Sequence, residues 1–269
     1  MGTIAKLPTY FISHGGGPWP WIRDSFRDSF TVLEASLKDM VVQLGRKPRA
    51  VLVISGHWEE QEFTVMSNSA PPMIYDYGGF PEYLYHIQYS APGSPALARR
   101  VEELLGGAQI AARSDSNRGF DHGTYAPLAV MYPEADVPVV QLSLRADYDP
   151  DVHIKLGRAL APLREEGVLI VGSGLSYHNL RRFDKQAAQP SRDFDSWLQE
   201  TLVKSSPDLR TRRLIDWENA PSARFAHPQE DHLLPLMVAV GAAESEPGRC
   251  VYHETEFMGG VTTSSFRFG

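Results

Sequence analysis

Two short runs of this chain are apolar at every position, with no alternation of apolar and polar side chains. They are Ala-Val-Leu-Val-Ile at 50–54 and Val-Leu-Ile-Val at 168–171. A strand that faces water on one side alternates with a period of two, whereas a strand covered on both faces does not. Helices packed on both faces of a parallel sheet provide such cover, so these runs favour an α/β fold.

Helical patterns alternate with the strand-like runs along the chain. We predict strands at Thr9–Ser13, Ala50–Ser55, Phe63–Ser67, Gln109–Arg113, Pro138–Leu144 and Val168–Val171. We predict helices at Ser29–Leu44, Ser94–Leu105, Thr124–Met131, Asp151–Glu165, Arg192–Lys204 and His232–Ala242. The 269 residues show no internal repeat and no linker-like tract. We therefore expect one domain over residues 1–269, with a mostly parallel central sheet flanked by helices.

Charge and cysteine content exclude several classes of protein. The net charge of −7 argues against a nucleic-acid-binding surface, and the basic cluster Arg210–Arg213 is predicted to be a solvated helix face. No apolar run reaches the roughly 20 residues of a membrane helix. Cys250 is the single cysteine, so a metal here would be held by histidine and carboxylate side chains. Since Met1–Leu7 contain no apolar signal core, we expect a cytoplasmic protein.

Three histidines follow predicted strands at the points where those strands end. His14 comes directly after Thr9–Ser13, and His57 follows Ala50–Ser55. His178 follows the predicted strand Val168–Val171 through a short Ser/Gly loop. One such histidine usually does no more than hydrogen-bond a neighbouring loop. Ligands of open α/β sheets bind beyond the carboxyl ends of the strands, so the three together predict a metal site there.

A further candidate ligand lies before the last predicted helix, in the segment 226–236. His232 begins that helix, and Glu230 and Asp231 precede it either as helix caps or as neighbours of the metal. His227 is five residues away from His232 and does not share a helix face with it. We therefore expect only one of these two histidines to bind the ion.

His122 follows Asp121 and precedes Gly123 at a predicted helix start. It is either a proton donor or acceptor, or a solvent-exposed residue beside a capping aspartate. The remaining histidines lack such neighbours, and we interpret His86, His153 and His253 as ordinary surface or loop residues.

The segment Tyr75–Tyr89 contains five tyrosines and a Gly-Gly-Phe-Pro turn. Its composition predicts a loop. The tyrosines either pack against the body of the domain or form an aromatic wall beside a binding pocket, and we predict the wall.

Six blocks of this sequence resemble, in the same order, a known family. They are SHGGGP at 13–18, SGHWE at 55–59, YDYGGFP at 75–81, RGFDHGTYAPL at 118–128, GSGLSYHNL at 172–180 and HPQEDHLLPL at 227–236. The chain is similar to the class III extradiol ring-cleavage dioxygenases, and more closely to their DOPA-dioxygenase branch. The resemblance implies an α/β fold, one non-haem Fe(II) per subunit that is often replaced by Zn(II) on isolation, and a catechol and dioxygen as substrates.

The resemblance also implies roles for five histidines. It makes His14, His57 and His232 the metal ligands. His178 is then the catalytic base, or a fourth ligand in a zinc form, and His122 is a second active-site histidine that serves as an acid. Neutral imidazole ligands leave the ion electrophilic, which lowers the pKa of a bound catechol hydroxyl.

Two other functions use the same residues. A zinc hydrolase would activate a metal-bound water with Glu230 or Asp231 as base, although the chain lacks an HExxH motif. A Memo-type protein would use a related pocket for protein binding without catalysis. The sequence predicts neither the ring substituents of the substrate nor the oligomeric state.

Overall fold

The computed structural model describes residues 6–269. Residues 1–5 of the segment Met1–Leu7, which we expected to carry no export signal, lie outside this range. No helix between residues 6 and 269 is long and apolar enough to cross a membrane.

One sheet of eight strands organises the molecule. The strands are β1 (Thr9–Ser13), β2 (Ala50–Glu60), β3 (Phe63–Met66), β4 (Ala112–Asp115), β5 (Val139–Arg145), β6 (Val168–Gly174), β7 (Gly248–Phe257) and β8 (Val261–Phe268). Their order across the sheet is β4-β3-β5-β2-β6-β1-β8-β7. The four central strands β5, β2, β6 and β1 are all parallel, while β8 and β7 add an antiparallel edge. The predicted α/β fold with a mostly parallel centre is confirmed.

Eight helices accompany the sheet in the described range. They are α1 (Thr31–Leu44), α2 (Pro95–Gly107), α3 (His122–Met131), α4 (Pro150–Leu160), α5 (Ala188–Gln199), α6 (Pro207–Ile215), α7 (Ala223–Ala226) and α8 (Leu234–Gly241). Short 3₁₀ and π turns extend α4 to Arg164 and α5 to Lys204. The predicted helix at 232–242 begins later than expected, because the turn that contains His232 is not helical and Pro235 lies in the first turn of α8.

Consecutive residues of β2 pack into two separate cores, one on each face of the sheet. Val51 and Val53 contact the core that includes α1 and α3, whereas Leu52 and Ile54 contact the core that includes α2, α4 and α8. All four side chains are buried. This two-sided burial is the physical reason for the unbroken apolar run that the sequence shows.

The sequence analysis assigned no element to residues 223–226 and 248–268, which form α7 and the β7–β8 hairpin, and only a helix face at 210–213 within α6. In β8 the four residues Thr262–Ser265 are all buried although they are polar. Serine hydroxyls of other segments accept hydrogen bonds from the backbone of this strand: Ser264 N donates to Ser176 Oγ at 2.8 Å, and Thr262 N to Ser191 Oγ at 2.9 Å. Because hydrogen bonds satisfy its buried polar groups, the strand can be buried without an apolar sequence pattern.

Two side chains that we expected at the surface are buried. Arg210 lies on α6 with only 1% of its surface exposed, and it donates to the backbone oxygen of Glu246 at 2.9 Å. The predicted helix at 210–213 exists, but its description as a solvated face is wrong for Arg210. His153 is fully buried on α4, so its interpretation as a surface residue is also wrong.

Candidate metal centre

The carboxyl ends of the central parallel strands bring three histidines together. His14 follows β1, and its backbone N–H donates to the oxygen of Gly174, the last residue of β6, at 3.1 Å. His57 lies near the end of β2, next to β6 in the sheet. His232 lies in the turn before α8, and its backbone oxygen accepts from Leu175 N at 3.2 Å. The same edge of the sheet thus carries all three.

Two local backbone features position His57 and His232. The pairing of β2 with β5 changes register between Ile54 and Glu59, so the strand bulges where His57 lies. Bulges commonly redirect a side chain at the edge of an active site. At Gly174, a Cβ atom would lie 2.1 Å from the backbone oxygen of His232. Only glycine therefore allows the His232 turn to approach β6 this closely.

The Nε2 atoms of the three imidazoles face one another. His57 Nε2 lies 3.2 Å from His14 Nε2 and 3.1 Å from His232 Nε2. Two nitrogens bound to one ion at about 2.1 Å, about 90–109° apart, are separated by about 3.0–3.4 Å. The observed spacing therefore fits a shared metal ion.

Carboxylates on the far sides of two rings, one hydrogen-bonded and one in a longer contact, favour one position of the imidazole protons. His232 Nδ1 lies 2.7 Å from Asp231 Oδ2, and His57 Nδ1 lies 3.4 Å from Asp76 Oδ2. A carboxylate partner holds the proton on Nδ1, which leaves the Nε2 lone pairs directed at each other. Such an arrangement is repulsive by itself and becomes favourable when a cation lies between the nitrogens.

Burial keeps the three imidazoles neutral, as metal ligation requires. It lowers the pKa of His14, His57 and His232 well below the usual range, and the neighbouring histidines lower each pKa further. Burial also raises the pKa of Asp231 to about 7. A cation bound by His232 would favour the ionised form of this carboxyl.

A cavity of about 390 Å³ opens above the cluster. This is within the size range of small-molecule sites. Its floor contains His14 and His57, and its walls are mainly apolar and aromatic: Tyr77, Phe80, Leu175, Leu180, Phe183, Phe257 and Met258. The arrangement places a candidate metal site beside a pocket suited to a flat, largely apolar molecule.

Comparison with known protein families matches residues 8–269 to the catalytic LigB subunit of aromatic ring-opening dioxygenase. The chain belongs to this family. The resemblance to the extradiol ring-cleavage dioxygenases is confirmed, and ring opening is favoured over the zinc hydrolase and the Memo-type binding protein that the sequence left open.

Relatives of this dioxygenase match along nearly their full length. A protein of Beta vulgaris named 4,5-DOPA dioxygenase extradiol is 41% identical, over 97% of this chain and 96% of its own. A protein of the same name from Escherichia coli K12 is 34% identical, over 98% of this chain and 95% of its own. A crystal structure of an uncharacterized Escherichia coli K12 protein superimposes with a TM-score of 0.79 at 30% identity, covering 98% and 100% of the two chains.

The other two histidines that we predicted for this dioxygenase site lie beside the three Nε2 atoms. The His178 ring stacks on that of His232, with centroids 3.4 Å apart and planes 15° from parallel. Burial lowers the pKa of His178 to about 4. His122 is the first residue of α3, is buried rather than solvent-exposed, and has its ring centroid 4.0 Å from that of His57. Both histidines line the cavity.

The acidic turn before α8 supports the site instead of capping the helix. Asp231 contacts His232 as described above, and Glu230 forms an ion pair with Arg224 at 2.7 Å. Neither side chain caps α8. His227 lies outside the cluster, because its Nε2 donates to the backbone oxygen of Ser176 at 3.0 Å. The structure thus brings His232, and not His227, to the other ligand candidates.

The aromatic segment divides between the two roles that we considered. Tyr77 and Phe80 line the cavity. Three tyrosine hydroxyls donate to backbone oxygens: Tyr77 to Leu84 at 2.6 Å, Tyr75 to Ile87 at 2.8 Å and Tyr89 to Tyr132 at 3.0 Å. The segment therefore contributes a wall through two of its aromatic side chains, and Tyr77 serves both roles.

Sequence reasoning missed Asp76. This residue lies between Tyr75 and Tyr77 in a segment that we considered only for its aromatic side chains, yet its carboxylate reaches both His122 and His57. Burial alone would raise the pKa of Asp76, but the hydrogen bonds from His122 outweigh it and hold the pKa below the usual range. The available signals were an acidic residue inside a predicted turn and its place in the block YDYGGFP, which resembles the family.

Proposed function

We propose that this dioxygenase opens a catechol ring with dioxygen on one Fe(II) ion held by His14, His57 and His232. The observation that carries the proposal is the group of three Nε2 atoms, with neighbouring pairs 3.1 and 3.2 Å apart, of which two belong to the cavity-lining His14 and His57. We further propose that His122 and His178 move protons, with His178 beside the metal rather than on it.

Iron at this site would offer open coordination positions for both hydroxyls of the catechol and for dioxygen, and would lower the pKa of those hydroxyls. Zn(II) fits the same three nitrogens, so we expect it in some isolated preparations, without ring cleavage. The chain supplies the remaining functions, which are binding, exclusion of water and movement of protons.

The two proton-transfer candidates line the cavity at its histidine-rich end. His178, with a pKa of about 4 because of burial, starts as a neutral base that can accept a hydroxyl proton. We assign to His122 acceptance of the second hydroxyl proton at Nε2 and the later return of that proton to the reacting oxygen. Apolar walls at Leu175, Phe183 and Phe257 exclude water, which strengthens the electrostatic effects of the site.

The outer part of the site suggests the substrate class. A second, more polar cavity of about 480 Å³ adjoins the first, because His178 and Leu180 line both. Arg181 and Arg182 also line this outer cavity. We propose that the catechol ring lies in the inner cavity while an anionic side chain of the substrate extends toward these two arginines. DOPA, the catechol in the relatives' name, carries such a carboxylate, beside an ammonium group.

The decisive experiment loads the protein with Fe(II) without air and adds a panel of catechols with neutral, cationic and anionic side chains. We expect stoichiometric oxygen uptake, incorporation of both atoms of ¹⁸O₂ into a coloured ring-opened product, and the highest kcat/KM with anionic side chains. The Zn(II)-loaded protein is the control and should consume no oxygen. An Fe(II) protein that binds these catechols but consumes no oxygen with any of them would overturn the proposal.

Two expectations remain predictions. The cytoplasmic location rests on the single cysteine. The interpretation of residues 1–269 as a single catalytic domain rests on the unbroken composition of the chain.

A further inference from the structure

Asp76 makes more polar contacts with the histidine cluster than a side chain in an aromatic loop would need for its own stability. Its Oδ1 atom accepts from the backbone N of His122 at 3.0 Å and from His122 Nδ1 at 2.9 Å. Its Oδ2 atom lies 3.4 Å from His57 Nδ1. Because His122 is also the first residue of α3, the carboxylate lies at a helix N-terminus, where negative charge is stabilised.

These contacts fix one tautomer of His122. The ionised carboxylate only accepts hydrogen bonds, so the proton of the neutral imidazole must be on Nδ1. The lone pair is then on Nε2, and the ring cannot turn over without losing its bond from Nδ1 to Asp76. This is the way in which a carboxylate orients the histidine of a proton-transfer pair.

Asp231, on the other side of the cluster, has the opposite preference. Its Oδ2 atom lies 2.7 Å from Nδ1 of His232, a candidate ligand, but 4.0 Å from Nδ1 of His178, a candidate for proton transfer. Each aspartate therefore stands between one candidate ligand and one proton-transfer candidate. Asp76 makes its short bond to the proton-transfer candidate, and Asp231 makes its short bond to the ligand.

We propose that the two aspartates divide the work of the site: Asp76 is a positioning residue that orients His122 for proton transfer, and Asp231 orients His232 for the metal. The proposal rests on the proposed function insofar as His122 moves a proton. It predicts that loss of Asp76 lowers kcat more than metal affinity, whereas loss of Asp231 lowers metal affinity first.

The test compares Asp76→Asn and Asp231→Asn, with Glu82→Gln as the matched control, since Glu82 is an exposed acid of the same aromatic segment that pairs only with exposed His86. Three quantities are measured: the His122 tautomer from ¹⁵N shifts of the diamagnetic Zn(II) protein, Zn(II) affinity by chelator competition, and kcat and KM of the Fe(II) enzyme. A spectrum of the His122→Phe variant assigns the His122 signals.

We expect an Nδ1–H tautomer of His122 in the wild type and in Glu82→Gln, and appearance of the Nε2–H form in Asp76→Asn. In that variant kcat should fall about 10–100-fold with KM within about threefold, and Zn(II) affinity should fall less than in Asp231→Asn, where a loss of about 10–100-fold is typical of such partners. A residue with a merely structural role would not shift the tautomer.

The proposal is overturned if His122 carries its proton on Nε2 in the wild type, which can be measured even if Asp76→Asn does not fold. It is also overturned if Asp76→Asn loses as much Zn(II) affinity as Asp231→Asn while kcat at saturating Fe(II) is unchanged. If wild-type Fe(II) enzyme cleaves no catechol, the proposed function fails, whereas the tautomer and affinity measurements still decide whether the two aspartates divide their roles.

Discussion

Two groups of buried histidines in this molecule share one property and differ in another. His14, His57 and His232 lie at the strand ends, and His153 and His227 lie among the packed helices. Burial lowers the pKa in both groups, to about 4 for His153 and about 3 for His227. A depressed histidine pKa therefore does not identify a metal ligand.

The partners of the ring nitrogens separate the two groups. His153 Nδ1 donates to the backbone oxygen of Asp149 at 2.7 Å, and its Nε2 accepts from Arg145 N at 3.2 Å. Both nitrogens are thereby satisfied within the fold. In the strand-end group, Nε2 atoms face other Nε2 atoms at 3.1 and 3.2 Å, and one cation between them would accept all three lone pairs. We infer that a buried histidine is structural when its ring nitrogens bond to backbone groups. It is a candidate ligand when a ring nitrogen faces the ring nitrogens of other histidines.

The largest effect that tests this comparison is loss of metal. Single alanine substitutions of His14, His57 or His232 should each lower Fe(II) and Zn(II) affinity by more than the roughly 10–100-fold typical for losing an outer hydrogen-bond partner of a ligand. His153→Gln, the matched variant of the structural group, should keep full metal occupancy. Metal analysis of folded protein provides the measurement. Full occupancy in all three alanine variants would remove the distinction between the groups.

A second test asks whether His122 and His178 form a third group, which moves protons. His122→Phe and His178→Phe should retain Fe(II) but lower kcat by about 10²–10⁴-fold, the usual range for acid–base groups. His86→Phe, a change at an exposed position, should leave kcat unchanged. Wild-type turnover in either active-site variant removes that histidine from the mechanism, while loss of metal from His178→Phe would make His178 a ligand.

The strand-end group was predictable because two rules of general validity place it. Unbroken apolar runs predict buried parallel strands, and their carboxyl ends meet at one edge, so His14 and His57 were expected together. The His232 turn was expected beside them on the resemblance to the family. The bulge in β2 was not predicted, because it arises from pairing with β5 and leaves no local pattern.

The same rules failed where hydrogen bonds satisfy polar groups that are buried. β8 carries Thr and Ser at buried positions, so its pattern is not that of a core strand. His153 was assigned to the surface because a helix that alternates polar and apolar residues does not say which polar side chain faces inward. Asp76 lies in a loop, and no periodicity indicates where a loop folds back. These residues depend on tertiary contacts.

His153, from the structural group, should make the free energy of unfolding depend on pH below 6.5. Because the folded-state pKa of His153 is about 4 and that of an unfolded histidine about 6.5, the unfolded chain takes up the proton first. The contribution is fully present above pH 6.5 and is lost as the pH falls toward 4, up to about 3 kcal/mol in the free energy of unfolding.

Urea denaturation of the wild type and His153→Gln across pH 4–7.5 measures this loss. The variant should be less stable at pH 7.5 by about 1–3 kcal/mol, the cost of leaving buried partners unsatisfied, and the difference should shrink toward pH 4. Titration of the other histidines is common to both proteins and cancels in the difference. A gap that stays constant, or that widens in acid, would show that His153 does not titrate as its buried contacts require.

The smallest effect extends the comparison to the aromatic segment, where orientation again separates two groups. Tyr77 and Phe80 line the cavity, and Tyr75 does not. The hydroxyls of both tyrosines donate to backbone oxygens, Tyr77 to Leu84 and Tyr75 to Ile87. An aromatic pair contributes about 0.5–1.5 kcal/mol beyond burial, so Tyr77→Leu or Phe80→Leu should change the ratio of kcat/KM between differently substituted catechols by about 2–12-fold. Tyr75→Phe, which removes only the hydroxyl, should leave the ratio unchanged. If the ratio is constant in every variant while metal binding is intact, selectivity comes from the outer cavity at Arg181 and Arg182, and the aromatic wall merely closes the inner cavity.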